Sequence, residues 1–101
     1  MDTKALIREA QARFDHNAAK HILKEKYQAK LIVANQGGLW KASPALITFV
    51  NDCGTEELIL LDEYENPIKV KKTELLQLLV DTYLNVMEEW HAEFEELNKK
   101  R

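Results

Sequence analysis

Residues 73–98 read TELLQLLVDTYLNVMEEWHAEFEELN, and this stretch decides the fold. Its largest apolar residues recur at alternating steps of four and three positions, namely Leu76, Val80, Tyr83, Met87, Trp90, Phe94 and Leu97. This heptad spacing is typical of a helix that lies along another helix. The stripe is widened at its start by Leu75, Leu79 and Leu84. We therefore predict one long C-terminal amphipathic helix, whose first half, residues 75–84, completes the core of the domain.

The second half of this helix needs a surface to cover it. Twenty-five helical residues span about 37 Å at 1.5 Å per residue, whereas a 100-residue domain has a radius of gyration of about 13 Å. Left in water, the aromatic residues near the end of the helix would form an unusual apolar patch. Two alternatives follow: the N-terminal helix runs antiparallel beside this half, or another subunit or partner covers it. For the second alternative we predict the interface residues Tyr83, Met87, Trp90, Phe94 and Leu97.

Residues 3–28 also have the pattern of a helix, because apolar residues recur at helical spacing and no Gly or Pro occurs before Gly37. The predicted apolar stripe comprises Ala5, Leu6, Ala10, Phe14, Ala18, Ile22 and Leu23, with Ile7 at its edge. The segment Asp15-His16-Asn17 interrupts the pattern, since Asp and Asn compete with the helical backbone. One bent helix and two helices that meet near residue 16 both fit this sequence.

The middle of the chain predicts two β-hairpins separated by a short helix. Residues 30–35 and 39–42 have strand character on either side of a Gly-rich turn. Ser43-Pro44 is a strong helix start, so we predict a helix over Pro44–Asp52 that Gly54 ends in a left-handed conformation. Strands are predicted over Glu57–Leu61 and 68–70, joined by a turn, with Thr73 as the N-cap of the final helix.

The order of elements is therefore α-β-β-α-β-β-α. It predicts a single α+β domain over residues 1–101, in which a small antiparallel sheet of two β-hairpins packs against helices.

Charge is divided unevenly along the chain. Residues 1–50 contain eight Lys and Arg against four Asp and Glu, whereas residues 51–101 contain six against thirteen. The basic N-terminal helix and the acidic final helix can complement each other, or the acidic end can meet a basic partner. The acidic balance disfavours nucleic-acid binding by the whole chain. A nucleic-acid-associated protein that uses the basic N-terminal helix remains the alternative function, through Arg8, Arg13, Lys20 and Lys24.

No residue pattern points to catalysis or metal binding. His16 and His21 are five positions apart, whereas a helical zinc pair is four apart. The single Cys53 has no partner for an internal disulfide and no activating histidine beside it. We therefore predict a chain that is not an enzyme, has no cofactor or metal and takes no small-molecule substrate.

Other polar and aromatic residues of the middle segment have structural interpretations. Three carboxylates, those of Asp62, Glu63 and Glu65, lack a base or metal set and predict a solvated turn. Trp40 and Tyr64 fit either packing on the sheet or contact with a partner.

The N-terminus, MDTKALIREAQARF, is charged and amphipathic, which is unlike a signal peptide. No apolar run approaches the roughly 18 residues of a membrane span. We therefore expect a cytoplasmic protein that does not enter a membrane.

Residues 62–97 read DEYENPIKVKKTELLQLLVDTYLNVMEEWHAEFEEL. An acidic turn, Asn-Pro and a short strand lead into a helix with Tyr, Met, Trp and Glu at regular intervals. This segment resembles small uncharacterised proteins encoded by tailed bacteriophages. The resemblance implies an accessory or structural role in the cytoplasm of a phage-infected bacterium, exerted through protein–protein contact, and it transfers no catalytic residue.

Together these features predict a non-enzymatic protein–protein interaction or assembly protein. We expect it to form a homodimer, or to dock on a larger assembly, through the C-terminal helix.

Overall fold

The computed structural model describes residues 3–99 and has the α+β architecture predicted from the sequence. The elements follow in the predicted order: α1 (Thr3–Lys30), β1 (Ile32–Asn35), β2 (Gly38–Lys41), α2 (Pro44–Asp52), β3 (Glu57–Leu61), β4 (Pro67–Lys71) and α3 (Lys72–Lys99). Within the described residues, no helix is long and apolar enough to cross a membrane.

Helix α1 runs antiparallel to α3 as one uninterrupted helix. Residues 15–17 are helical, so the alternative of two helices that meet near residue 16 is excluded. The antiparallel direction is clear from two ion pairs, in which Lys26 contacts Glu93 and Lys30 contacts Glu89. The first of the two alternatives for the final helix therefore holds: α1 of the same chain lies beside its second half.

The first half of α1 extends beyond the end of α3. Leu97, near the end of α3, lies beside His16 and Ala19 of α1. Residues 3–15 are all exposed, and the molecule measures 65 × 24 × 20 Å. A small core thus carries a helical hairpin with one long projecting arm.

The predicted apolar stripe of α1 is wrong for most of its members. Leu23 is buried against the core, together with Tyr27. Phe14 and Ile22 are exposed, as is Ile7. The reason is geometric, since these three side chains lie on the side of the helix that faces away from α3.

The two hairpins form separate two-stranded antiparallel sheets rather than one continuous sheet. In the first hairpin, Gln36 and Gly37 both have positive φ angles, of 52° and 87°. That conformation is typical of a tight hairpin turn. The second hairpin pairs Glu57 with Lys71 at one end and Leu61 with Pro67 at the other.

Asp62 joins the second hairpin to the first. Its carboxylate accepts hydrogen bonds from the backbone N–H groups of Leu39, Tyr64 and Asn66, at 3.3, 2.9 and 3.0 Å. The N–H of Glu63 donates to the carbonyl of Leu39 at 2.9 Å. The prediction of a solvated carboxylate is therefore wrong for Asp62, which is buried and organises the turn.

The core is formed by the hairpins, α2, α3 and, from α1, Leu23 and Tyr27. Trp40 is buried, and its indole N–H donates to the carbonyl of Asn35 at 2.8 Å. Of the two predicted uses of the aromatics, Trp40 therefore packs in the core, whereas Tyr64 remains exposed. The most deeply buried residues of α3 are Leu75 and Leu79.

Leu84 was expected to complete the core together with Leu75 and Leu79. This expectation is wrong, because its side chain is exposed. Leu84 lies five positions after Leu79, or about 140° around the helix, and therefore faces away from the core.

The helix ends show which capping signals are local. Helix α2 begins as predicted, with the Ser43 hydroxyl accepting a hydrogen bond from the N–H of Leu46 at 3.2 Å. The prediction for its other end is wrong: the C-cap is Cys53 in an extended conformation, so Gly54 does not end the helix in a left-handed one.

Thr73 is not the N-cap of α3 either, because the helix already begins at Lys72. The Glu56 carboxylate accepts hydrogen bonds from the N–H and the hydroxyl of Thr73, at 3.1 and 2.8 Å. Pairing of β3 with β4 brings residue 56 to this helix end, so the cap comes from a distant segment.

Candidate interaction surface

Four of the five predicted interface residues, Tyr83, Trp90, Phe94 and Leu97, pack against the core of their own chain. The ring of Trp90 lies nearly parallel to that of Tyr27, with an interplanar angle of 9° and centroids 6.0 Å apart. Leu97 lies beside Leu23 at the end of the helix pair. Tyr83 is half-buried and packs against the core. These contacts use much of the predicted interface to hold α1 on α3.

Met87, the fifth predicted interface residue, lines an open groove between α1 and α3, and Phe94 lines the same groove while it also packs against the core. The groove has a volume of about 450 Å³, and Trp90 completes its apolar floor. Its rim is polar and comprises Asn17, Lys20, His21, Lys24 and His91. We call this feature the α1–α3 groove.

The groove exists because the buried residues of α3 lie to one side of the predicted heptad seam. Leu79 and Val86 are buried, whereas Met87 is only half-buried although it belongs to the seam. Successive residues of a helix differ by about 100°, so Met87 lies to one side of the line that faces α1. On that side α1 presents lysines rather than apolar residues, so it leaves the floor of the groove open.

On the opposite edge of the helix pair, which we call the closed edge, charged and polar side chains join α1 to α3. The carboxylate of Glu93 accepts hydrogen bonds from the Tyr27 hydroxyl and, at 2.7 Å, from the Lys26 ammonium group. Lys30 approaches Glu89 at 3.3 Å. The predicted complementarity between the basic and the acidic helix is therefore present along this edge.

The closed edge also alters the acid–base properties of its residues. The hydrogen bond from Lys26, followed by that from Tyr27, lowers the pKa of Glu93 below its usual value. The same carboxylate raises the pKa of Lys26 and of Tyr27. All three effects favour a charged Lys26 and Glu93 and a neutral Tyr27, which keeps the hydrogen bonds in place near pH 7.

The rim of the groove, by contrast, carries uncompensated positive charge. Among residues 3–99, neither Lys20 nor Lys24 has an acidic partner within ion-pair distance. His21 and His91 lie beside Glu25 and Glu95 of their own helices, at 3.0 and 3.4 Å. An apolar floor with two free ammonium groups can hold an apolar side chain that is flanked by carboxylates.

The described part of the chain contains no group of three His, Cys, Asp or Glu side chains placed to hold a metal ion.

The structural role of Asp62 is not predicted by the sequence pattern. The N–H of Asn66, followed by those of Leu39 and Tyr64, lowers the pKa of its carboxyl group. An Asp at the start of a turn was the available signal, since its side chain commonly binds backbone N–H groups two residues on.

Comparison of the chain with protein-family models, with curated proteins and with solved structures gave no match. The resemblance of residues 62–97 to bacteriophage proteins therefore stays a prediction.

Proposed function

We propose that this chain is a non-enzymatic interaction or assembly protein, and that the α1–α3 groove binds a segment of its partner. The observation that carries this proposal is the open apolar floor formed by Met87, Trp90 and Phe94, with Lys20 and Lys24 at its rim. The partner is a second copy of the chain or a component of a larger assembly.

The chemistry of the groove favours an amphipathic helix as the bound segment. Such helices bury apolar anchors three or four positions apart in a groove between helices. Carboxylates beside the anchors would meet the ammonium groups of Lys20 and Lys24, which improves specificity and the rate of association. The acidic second half of α3 in another copy has this composition.

The cellular setting is also a proposal. We propose that the chain acts in the cytoplasm of a bacterium, as an accessory or structural protein of a tailed bacteriophage. The support for this setting is the resemblance of residues 62–97 to such proteins. An assembly role is consistent with a small core that carries a long projecting helix.

Site-specific photo-crosslinking tests the groove directly. A photoreactive amino acid in place of Met87 should give a discrete adduct in cells that naturally produce the chain. The same replacement at Asn85 is the matched control, because this exposed residue lies on the same helix but points away from the groove. Equal adducts at both positions, or none at Met87, would refute the proposal.

The alternative function is a nucleic-acid-associated protein that uses α1. Three exposed basic residues of α1 support it, because Arg8, Lys20 and Lys24 have no acidic partner among the described residues. Arg13 is less available, since it pairs with Glu9 at 3.3 Å. Retention on DNA or RNA that weakens steeply as salt is added would support this function. Absence of retention at low salt would exclude it.

A further inference from the structure

A second apolar stripe runs along α1, on the side that faces away from α3. Ile7, Phe14 and Ile22 are exposed to 60%, 71% and 66%, respectively. With about 100° between successive residues, these three, Ala18 and the polar Gln11 fall within an arc of about 80° opposite Tyr27. We call this stripe the outer face of α1.

Nothing in the described chain covers the outer face. Helix α3 packs on the other side of α1, against Leu23 and Tyr27. Large apolar side chains that line up on one exposed helix face are typical of an interaction surface. The remaining question is which partner fits their spacing.

We propose that a second copy of this chain covers the outer face with its own outer face. The two α1 helices run antiparallel about a two-fold axis near Phe14. The spacing is self-complementary, because Ile7 and Ile22 lie at nearly equal distances on either side of Phe14. Ile7 then meets Ile22 of the partner subunit, and Phe14 meets Phe14 of the partner subunit. Each contact occurs twice, as a two-fold interface requires.

Charge selects the antiparallel direction over the parallel one. Lys4 and Glu25 lie at the two ends of the outer face. Antiparallel pairing places Lys4 opposite Glu25 of the partner subunit, so unlike charges meet at both ends. Parallel pairing would place each of them opposite its own copy, and like charges across an interface are unfavourable.

One charge near the axis opposes the association and provides a test. Asp15 lies at the edge of the outer face, so its carboxylate is close to Asp15 of the partner subunit. Three large side chains per copy also form a small contact compared with the roughly 1,600 Å² of a standard interface. We therefore expect a dimer that dissociates in the micromolar range, and we expect Asp15→Asn to strengthen it.

Disulfide crosslinking tests the direction and register. In a Cys53→Ser background, chains with Ile7→Cys and chains with Ile22→Cys are mixed and oxidised. The antiparallel dimer predicts crosslinks between position 7 of one chain and position 22 of the other, and Phe14→Cys alone should crosslink to itself. Crosslinks of 7 to 7 and 22 to 22 would overturn the proposal, as would the absence of crosslinks in all mixtures.

Sedimentation equilibrium tests the affinity of the same contact. Ile7→Glu and Phe14→Glu should each weaken association at least tenfold, because each buries a carboxylate in an apolar contact. Ala5→Glu is the matched control, since it adds the same charge to an exposed position of the same arm outside the outer face. Equal weakening by Ala5→Glu, or weaker association after Asp15→Asn, would contradict the arrangement.

The outer face lies on a different side of α1 from the α1–α3 groove, and dimerisation through it does not depend on a partner in the groove. Failure of the outer-face variants to alter the mass would overturn the dimer. The photo-crosslinking result at Met87 would stand unchanged, because Met87 lies on α3.

Discussion

Replacing Leu79 with alanine and, separately, Leu84 with alanine should have very different effects on stability. Both residues belong to the apolar pattern at the start of α3, and the chemical change is the same. Leu79 is 0% exposed and Leu84 is 59% exposed. Truncation of a buried leucine removes transfer free energy and leaves a cavity, which costs about 2–5 kcal/mol. We expect about 3 kcal/mol for Leu79→Ala and less than about 0.5 kcal/mol for Leu84→Ala.

Urea unfolding followed by tryptophan fluorescence measures both changes, because Trp40 is buried in the same core. The experiment belongs at low protein concentration, so that association does not add to the free energy of unfolding. For a domain of this size, the expected loss for Leu79→Ala lowers the melting temperature by about 12–24 °C. Similar losses for the two variants would refute the assignment of the core face of α3.

Three further substitutions test the packing and the turn contacts. Gly38→Ala should lower the free energy of unfolding by about 1–3 kcal/mol, because an added Cβ would lie 2.7 Å from the Cζ2 carbon of Trp40. Gly54→Ala is its control and should change the free energy of unfolding by less than about 0.5 kcal/mol. Urea unfolding measures both variants. Asp62 has a lowered pKa in the folded chain, so its stabilisation is complete above the unfolded value of about 3.9 and is lost as pH falls through the folded value. Acid titration followed by circular dichroism should therefore show a shallower loss of stability for Asp62→Asn than for the natural chain, and an equal slope would contradict this role. Glu56→Gln should lower the urea midpoint, because it removes the carboxylate that caps α3, and an unchanged midpoint would show that the cap is dispensable.

The features that the sequence predicted well are those with local causes. The start of α2 follows from Ser43 and Pro44, which act within one helical turn. The β3 strand follows from an apolar run of four residues with a turn after it. The order of elements depends on such local signals, and it is confirmed.

The features that the sequence predicted poorly depend on which face of an element packs against another element. Helix α1 carries two apolar stripes on opposite sides, and periodicity alone cannot tell which one faces the core. Periodicity therefore favours Phe14 and Ile22 as core residues, although Tyr27 is the buried one. The cap of α3 by Glu56 comes from a residue that is distant in sequence, so the local pattern favoured Thr73 instead.

In the candidate site, too, the sequence predicted what has a local cause and did not predict what depends on tertiary packing. The heptad spacing identified Met87 and Phe94 as residues at a helix–helix contact, but the groove arises from the offset between the two helices. The stacking of Tyr27 on Trp90 accompanies that offset, and it joins residues that are distant in sequence.

The mass of the full chain in solution tests most directly whether this is a self-associating interaction protein. Sedimentation equilibrium from low to high micromolar concentration should show a mass that rises from 11.7 kDa towards twice that value. Phe14→Glu should shift this rise in mass to concentrations at least tenfold higher. A mass of 11.7 kDa for the natural chain at every concentration would contradict self-association.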